Sequence, residues 1–245
     1  MHETHSSSGV SVNLRFLEIA RDPRIIPGVH HYCDEWCDYC ALTARCLGFR
    51  CMKEHRREHG RGAADPTFIT MEEAVQFTRE LSAIEGVPTD ELDMLLAGGQ
   101  AASSLQTTHP LAGLAWEYAV RVAEVLRTVS PPVPGRGPVP TQPPPHEVVL
   151  WFHVRIYFKI TRALVAKANT EQGRLDRRED ANGCAKLTLV AVERSRAALL
   201  ALAGPIGEGS IHSLVALLDA MERSIDEQFP EARRFVRLGL DVPVA

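Results

Sequence analysis

From Pro110 onward, apolar positions recur at three- and four-residue intervals in four long blocks, the spacing of helices with a buried face. The first block predicts a helix from Pro110 to about Val129, and the second from His146 to about Ala168. The third runs from about Ala181 to Ala203 and the fourth from Ser210 to about Gln228. Pro230 then opens a short helix, Glu231 to Leu238, closed by Gly239. The second block, His-Glu-Val-Val-Leu-Trp-Phe-His-Val-Arg-Ile-Tyr-Phe-Lys-Ile, is apolar on nearly every side, so it is expected at the centre of a bundle.

The N-terminal half is patterned in shorter pieces. Residues 1–11, rich in Ser and His, read as a disordered tail, and Val12 to Ala20 as a short amphipathic helix. Pro23 to Gly28 reads as an extended arm leading into a cysteine-rich stretch of short helical turns that continues to His59 and ends at Gly60 and Gly62. Thr70-Met-Glu-Glu73 is a capping box, and Val75, Phe77, Leu81 and Ile84 supply the apolar stripe of the helix behind it. Thr89 caps a further short helix to Leu96. The prolines of 130–145 preclude helix and read as a loop across one end of the bundle. The expected organisation is therefore a tail (1–11), an N-terminal arm with a cysteine-rich metal module (12–62), and a helical bundle (63–245). The fold class is all-α: a four-helix bundle with extra N-terminal helices.

Composition agrees with that class. Hydrophobic residues make up 45% and charged residues 24%, while aromatics are only 6%, a balance that favours helix over sheet. A net charge of −4 gives no global attraction for nucleic acid. The first residues have neither a basic n-region nor an apolar h-region, and no apolar run is long enough for a membrane span. A cytoplasmic protein without membrane contact is the expectation, with a protein or small molecule as its partner. In a reducing compartment, clustered cysteines serve metals or redox chemistry more often than structural disulfides.

Four of the six cysteines, Cys33, Cys37, Cys40 and Cys46, are spaced C-x3-C-x2-C-x5-C. Thiolates packed so closely repel unless a cation or a disulfide neutralises them. Three ligand sets follow. The leading one places all four around an iron–sulfur cluster, [4Fe–4S], shielded by the interleaved Trp36, Tyr39 and Leu42. The second is zinc, either on the same four cysteines or on Cys37, Cys40, His55 and His59, with Cys51, His55 and His59 sharing one helical face. The third holds no metal.

The segment also carries resemblances. Cys33-x3-Cys37-x-Tyr39-Cys40 is similar to the cluster loop of radical S-adenosylmethionine enzymes, but the alternating strands and helices of their barrel do not follow it. Cys37-x2-Cys40-x5-Cys46 resembles the cysteine group that holds a [4Fe–4S] cluster in some helicase–nuclease subunits, again without their nuclease core. Cys33-Asp-x-Trp36-Cys37-x-x-Cys40 with Arg45-Cys46, together with Asp-Ala-Asn-Gly-x-Ala-Lys at 180–186, resembles an uncharacterised bacterial family of helical proteins. The first two resemblances imply a cluster; the last implies no particular reaction.

Other candidates are weaker. Arg45, Arg50, Lys53, Arg56, Arg57 and Arg61 can grip phosphates or form a solvated face paired with Glu54 and Glu58. His153, Arg155 and Lys159 need partners if buried, and Glu193, Asp219, Glu222 and Asp226 can supply them. A di-metal bundle site would use Glu-x-x-His pairs, which the long helices lack. Cys184 near a helix start is either dipole-activated or simply packed. The functional expectation is a metal-binding helical protein with a redox or sensing role; the alternatives are a structural zinc module in an interaction protein and a helical-bundle oxidoreductase.

Overall fold

The computed structural model describes residues 12–62, 67–87, 105, 107–128, 142–173 and 177–244. Among them the chain is all-helical, and the one β-type pairing is an isolated bridge between Leu238 and Val242. Among the described residues no helix is long and apolar enough to cross a membrane. The chain divides into two compact units: unit 1 is Met1–Gly99 with Arg237–Ala245, and unit 2 is Gln100–Val236. The expected boundary at residue 62 is therefore displaced, and the last nine residues join the N-terminal part.

Unit 2 contains α4 (Pro110–Thr128), α5 (Pro145–Glu171), α6 (Arg178–Ala201), the short α7 (Ala203–Ile206) and α8 (Glu208–Gln228). Helix α4 packs on α5 and α8, and α6 packs on α5 and α8, so the four long helices form a closed ring of neighbours. The apolar stripe of α8 is Ile211, Leu214, Leu218, Met221 and Ile225, all buried at helical spacing. Pro145 occupies the first turn of α5, where its missing N–H costs nothing. The interior is close-packed: Tyr118, Phe152, Ile156, Ile160 and Leu199 are almost fully buried.

Two expectations need correction here. Helix α5 is not wrapped on all sides, because Leu150, Val154 and Phe158 are exposed while Val149, Phe152, Ile156 and Ile160 are buried. Nor does a helix run from Glu231 to Leu238. A single 3-10 turn, Ala232–Arg234, gives way to extended backbone at Phe235. Beyond it, Asp241 accepts hydrogen bonds from the backbone and the guanidinium of Arg237, and Gly239, at φ 80°, donates to the Val242 carbonyl. This local pairing closes a turn in place of a helical one.

Unit 1 contains α1 (Leu14–Ala20), the 3-10 turns Cys37–Tyr39 and Thr43–Arg45, α2 (Leu47–Glu58) and α3 (Met71–Ile84). Helix α3 begins as the sequence indicates: the Thr70 hydroxyl accepts from the Glu73 N–H, while the Glu73 carboxylate accepts from the Ile69 N–H. Among the described residues two small apolar clusters hold the unit. One joins Phe16, Leu47, Cys51 and Phe77; the other joins Ile26, Val29 and Cys46, with Leu42, Phe49, Leu240 and Val244 packed around them. The cysteine segment thus shares its core with the helix of Phe77 and with the C-terminal segment. The expected helix Thr89 to Leu96 and most of the loop 130–145 lie outside the described residues, as does the tail 1–11.

Candidate metal centre

The cysteine segment is built by repetition. The arm before it is fixed to the later loop by the Ile26 N–H donating to the Arg45 carbonyl at 2.9 Å. The 3-10 turn Cys37–Tyr39 ends at Cys40 and the turn Thr43–Arg45 ends at Cys46, and the two cysteines leave with nearly the same backbone, φ −94°, ψ 121° and φ −98°, ψ 118°. Each turn is closed by the cysteine N–H, Cys40 to the Cys37 carbonyl and Cys46 to the Thr43 carbonyl. Cys46 is also the N-cap of α2, its sulfur accepting from the Phe49 N–H at 3.4 Å. A sulfur in that place receives the positive end of the helix.

The same device recurs at the other sulfurs. The Leu42 N–H donates to the Cys40 sulfur at 3.4 Å, and the Glu35 N–H bonds the Cys33 sulfur. Glu35, a non-glycine residue with positive φ at 59°, carries its N–H there from a left-handed conformation. Cys33, Cys37, Cys40 and Cys46 all open onto one recess, walled by Val29, Trp36, Leu42, Phe49 and Leu240. Trp36 is buried and meets Tyr39 edge-on, with centroids 5.1 Å apart.

The electrostatics show what such a recess asks of its contents. Burial pushes the Cys33 thiol up to about 11, with the neighbouring Glu35, Cys46 and Asp34 adding to the shift and the Glu35 N–H opposing it. Cys37 is pushed up to about 12, by burial first and then by Cys33, Cys46 and Cys40. Burial also raises Cys46, against the N–H groups of Phe49 and Gly48. Each thiolate therefore disfavours the next, and a cation among them reverses that balance.

The distances distinguish two kinds of occupant. Among the described residues, no three cysteine sulfurs lie within 4.8 Å of one another. Four thiolates on one zinc at about 2.3 Å would be about 3.8 Å apart by tetrahedral geometry. A cubane cluster, which gives each thiolate its own iron, spreads them farther.

His55 and His59 do not join the cysteines. They gather with Glu73, whose carboxylate lies 2.7 Å from His55 Nε2 and 2.6 Å from the guanidinium of Arg61. Arg61, ahead of the Ile69 N–H and His55, holds Glu73 at about 2. Cys51 is fully buried in the Phe16–Phe77 cluster, and burial raises it to about 12. Cys184, in unit 2, is likewise buried and raised to about 12, a packed thiol rather than an activated one.

The basic side chains are directed at the protein's own oxygens. Arg50 bonds Asp22, Arg57 bonds Glu54, Arg61 bonds Glu73, Arg56 bonds the Gly62 carbonyl, and Arg45 bonds the Arg24 and Val244 carbonyls. Held this way, they are poor phosphate ligands. In unit 2, His153 Nδ1–H donates to the Leu150 carbonyl at 2.7 Å, and burial with the charge of Arg155 lowers its pKa. Asp219 and Glu222 pair with Arg196, and Glu222 and Asp226 with Arg233, while Glu193 is exposed. No carboxylate cluster forms around His153 among the described residues.

Sequence reading passed over a second group. His30, His31 and Glu85 bring their candidate ligand atoms within 4.8 Å of one another. The His-His pair just ahead of Cys33 was a visible signal; Glu85, the residue that caps the end of α3, was not. Burial pushes Glu85 up, but hydrogen bonds from both imidazoles outweigh it and hold the carboxyl at about 2. No family model matches the chain, and no curated protein and no solved structure matches it.

Proposed function

We propose that the protein holds a [4Fe–4S] cluster on Cys33, Cys37, Cys40 and Cys46 and acts as a redox or sensing protein, with unit 2 as a four-helix bundle. The observation that carries this reading is the spread of four sulfurs around one recess, wider than a single zinc ion would draw them. Backbone N–H donors at the Cys33, Cys40 and Cys46 sulfurs support it, since such bonds tune cluster potentials. Half-burial of Cys33, Cys37 and Cys40 supports the redox or sensing role, because a cluster there is within reach of small oxidants and of a docked partner. A cytoplasmic setting belongs to the same reading.

The test is anaerobic purification of the full chain followed by iron and acid-labile sulfide analysis and absorption spectroscopy. Four irons and four sulfides per chain, with thiolate-to-iron charge transfer, are expected. One zinc per chain in a colourless protein would replace this reading with the structural zinc module.

A further inference from the structure

The His30–His31–Glu85 group is a second place where this chain can take a metal, with donors of a different kind. His31 Nε2 lies 2.9 Å from one Glu85 oxygen and His30 Nε2 lies 3.5 Å from the other. Ligands sharing one first-row ion at about 2.0–2.2 Å are about 3.0 Å apart at right angles and about 3.4 Å apart in a tetrahedron. The separations found are thus those of hydrogen bonds and equally those of ligands to a common cation. All three side chains are partly buried, His30 and Glu85 at 15% and 17% exposed and His31 at 39%.

Three features set this group apart from an ordinary ion pair. The first is the partner list of Glu85, which among the described residues consists of the two imidazoles. The chemically similar group His55–His59–Glu73 has the Arg61 guanidinium on the same carboxylate, and that fixed positive charge repels a cation. The second is the direction of the His30 ring, whose Nε2, and not the buried Nδ1, faces Glu85. The third is the backing of the ring. A Cβ on Gly48 would meet the His30 ring at 3.0 Å, so glycine at this place lets helix α2 lie against the imidazole and fix its plane.

We propose that His30, His31 and Glu85 bind one divalent first-row transition-metal ion, Zn²⁺ or Fe²⁺, separate from the cysteine centre and beside it. Two imidazoles and one carboxylate are the donor set that leaves coordination positions open for water or a small ligand. The site adjoins the cysteines through the chain itself, since Cys33 Sγ lies 3.5 Å from the His30 carbonyl oxygen. This assignment does not depend on which metal the cysteines hold.

Cobalt titration of the full-length protein tests it. Co²⁺ bound by nitrogen and oxygen gives weak visible bands without thiolate charge transfer, so the two centres are read separately in one spectrum. A single Co²⁺ of the nitrogen–oxygen type is expected in the wild type. Its affinity should fall at least tenfold in Glu85→Gln and in His31→Gln, with any iron or zinc on the cysteines unchanged. His59→Gln should leave it as it was. His31 is the most exposed of the three, so His31→Gln reads the site even if Glu85→Gln folds poorly. Absence of a nitrogen–oxygen Co²⁺ signal, or equal affinity in wild type and both variants, overturns the proposal and leaves the group as hydrogen-bonded imidazoles. Loss of signal from the cysteine centre alone overturns the cluster reading and not this one.

Discussion

The two units of this protein solve the same folding problem with different means. Unit 2 buries long apolar stripes: Leu111, Ala115 and Val122 on α4, Phe152, Ile156 and Ile160 on α5, Leu214, Leu218 and Met221 on α8. Unit 1 has two small clusters, one around Phe16 and Phe77 and one around Ile26 and Val29, and cysteines sit in both. Small cores of this kind usually need a staple such as a metal. The comparison teaches that helical regularity and chemical capacity are divided here. Among the described residues, the unit with the stronger core gathers no group of candidate ligands, and the unit with the weaker core carries the cysteine recess and both His–Glu groups.

The largest effect is expected from removing the proposed staple. Cys37→Ser should abolish metal content, and calorimetry should show the transition of unit 1 shifted down or lost while that of unit 2 persists. Structural zinc contributes about 10–16 kcal/mol in small metal-dependent domains, so even part of that exceeds what two small clusters can replace. A full metal loss with both transitions intact would mean that unit 1 stands on its apolar clusters alone.

Unit 2 has its own polar weak point. Asp180 is buried between Arg162 and Arg177, with oxygens 2.6 Å and 2.9 Å from their guanidinium groups. Burial pushes its pKa up, but the two arginines outweigh burial and the net shift is downward. A carboxyl whose folded pKa lies below its unfolded value stabilises the fold above that unfolded value, about 3.9, and the contribution disappears as pH falls through the folded pKa. Asp180→Asn should cost about 3–5 kcal/mol, since it removes the charged member of a buried ion pair. Urea melts at pH 7 and near pH 3 check this: below the unfolded value the gap between variant and wild type should be narrower than at pH 7.

An apolar truncation gives the next effect and sharpens the contrast. Ile160, fully buried on α5, lost to alanine should cost about 2–5 kcal/mol in unit 2. Metal content of the protein should stay at the wild-type level. A parallel fall in metal content would show that the two units do not fold independently.

Unit 2 was legible in the sequence because its helices announce themselves by period. The expected starts and ends of α4, α5, α6 and α8 fall within a few residues of those found, since each depends on local apolar spacing and on Pro145 or a helix-ending turn. The exposed face of α5 was not legible: Leu150 and Phe158 have the hydropathy of core residues, and only the placement of neighbouring helices decides which side is covered. The C-terminal segment was misread for a similar reason, as Leu240 and Val244 find their partners near Ile26, more than two hundred residues upstream. In the candidate site, cysteine spacing named the four sulfurs that share the recess. Glu85 went unnoticed because its partners, His30 and His31, lie 54 residues or more away in sequence, as the separation from His31 shows.

The smallest expected effect tests the backbone of the centre itself. Glu35 holds φ at 59°, a conformation costing a non-glycine residue roughly 1–2 kcal/mol. Its N–H, not its side chain, serves the Cys33 sulfur, and its carboxylate adds negative charge beside that sulfur. Glu35→Gly keeps the donor, removes the strain and removes the charge, at the expense of greater freedom in the unfolded chain. The net change should be a stabilisation of unit 1 by up to about 1 kcal/mol with metal content retained. If the variant instead loses metal, the Glu35 side chain contributes to the centre in its own right, and the division of labour between backbone donors and cysteines must be redrawn to include it.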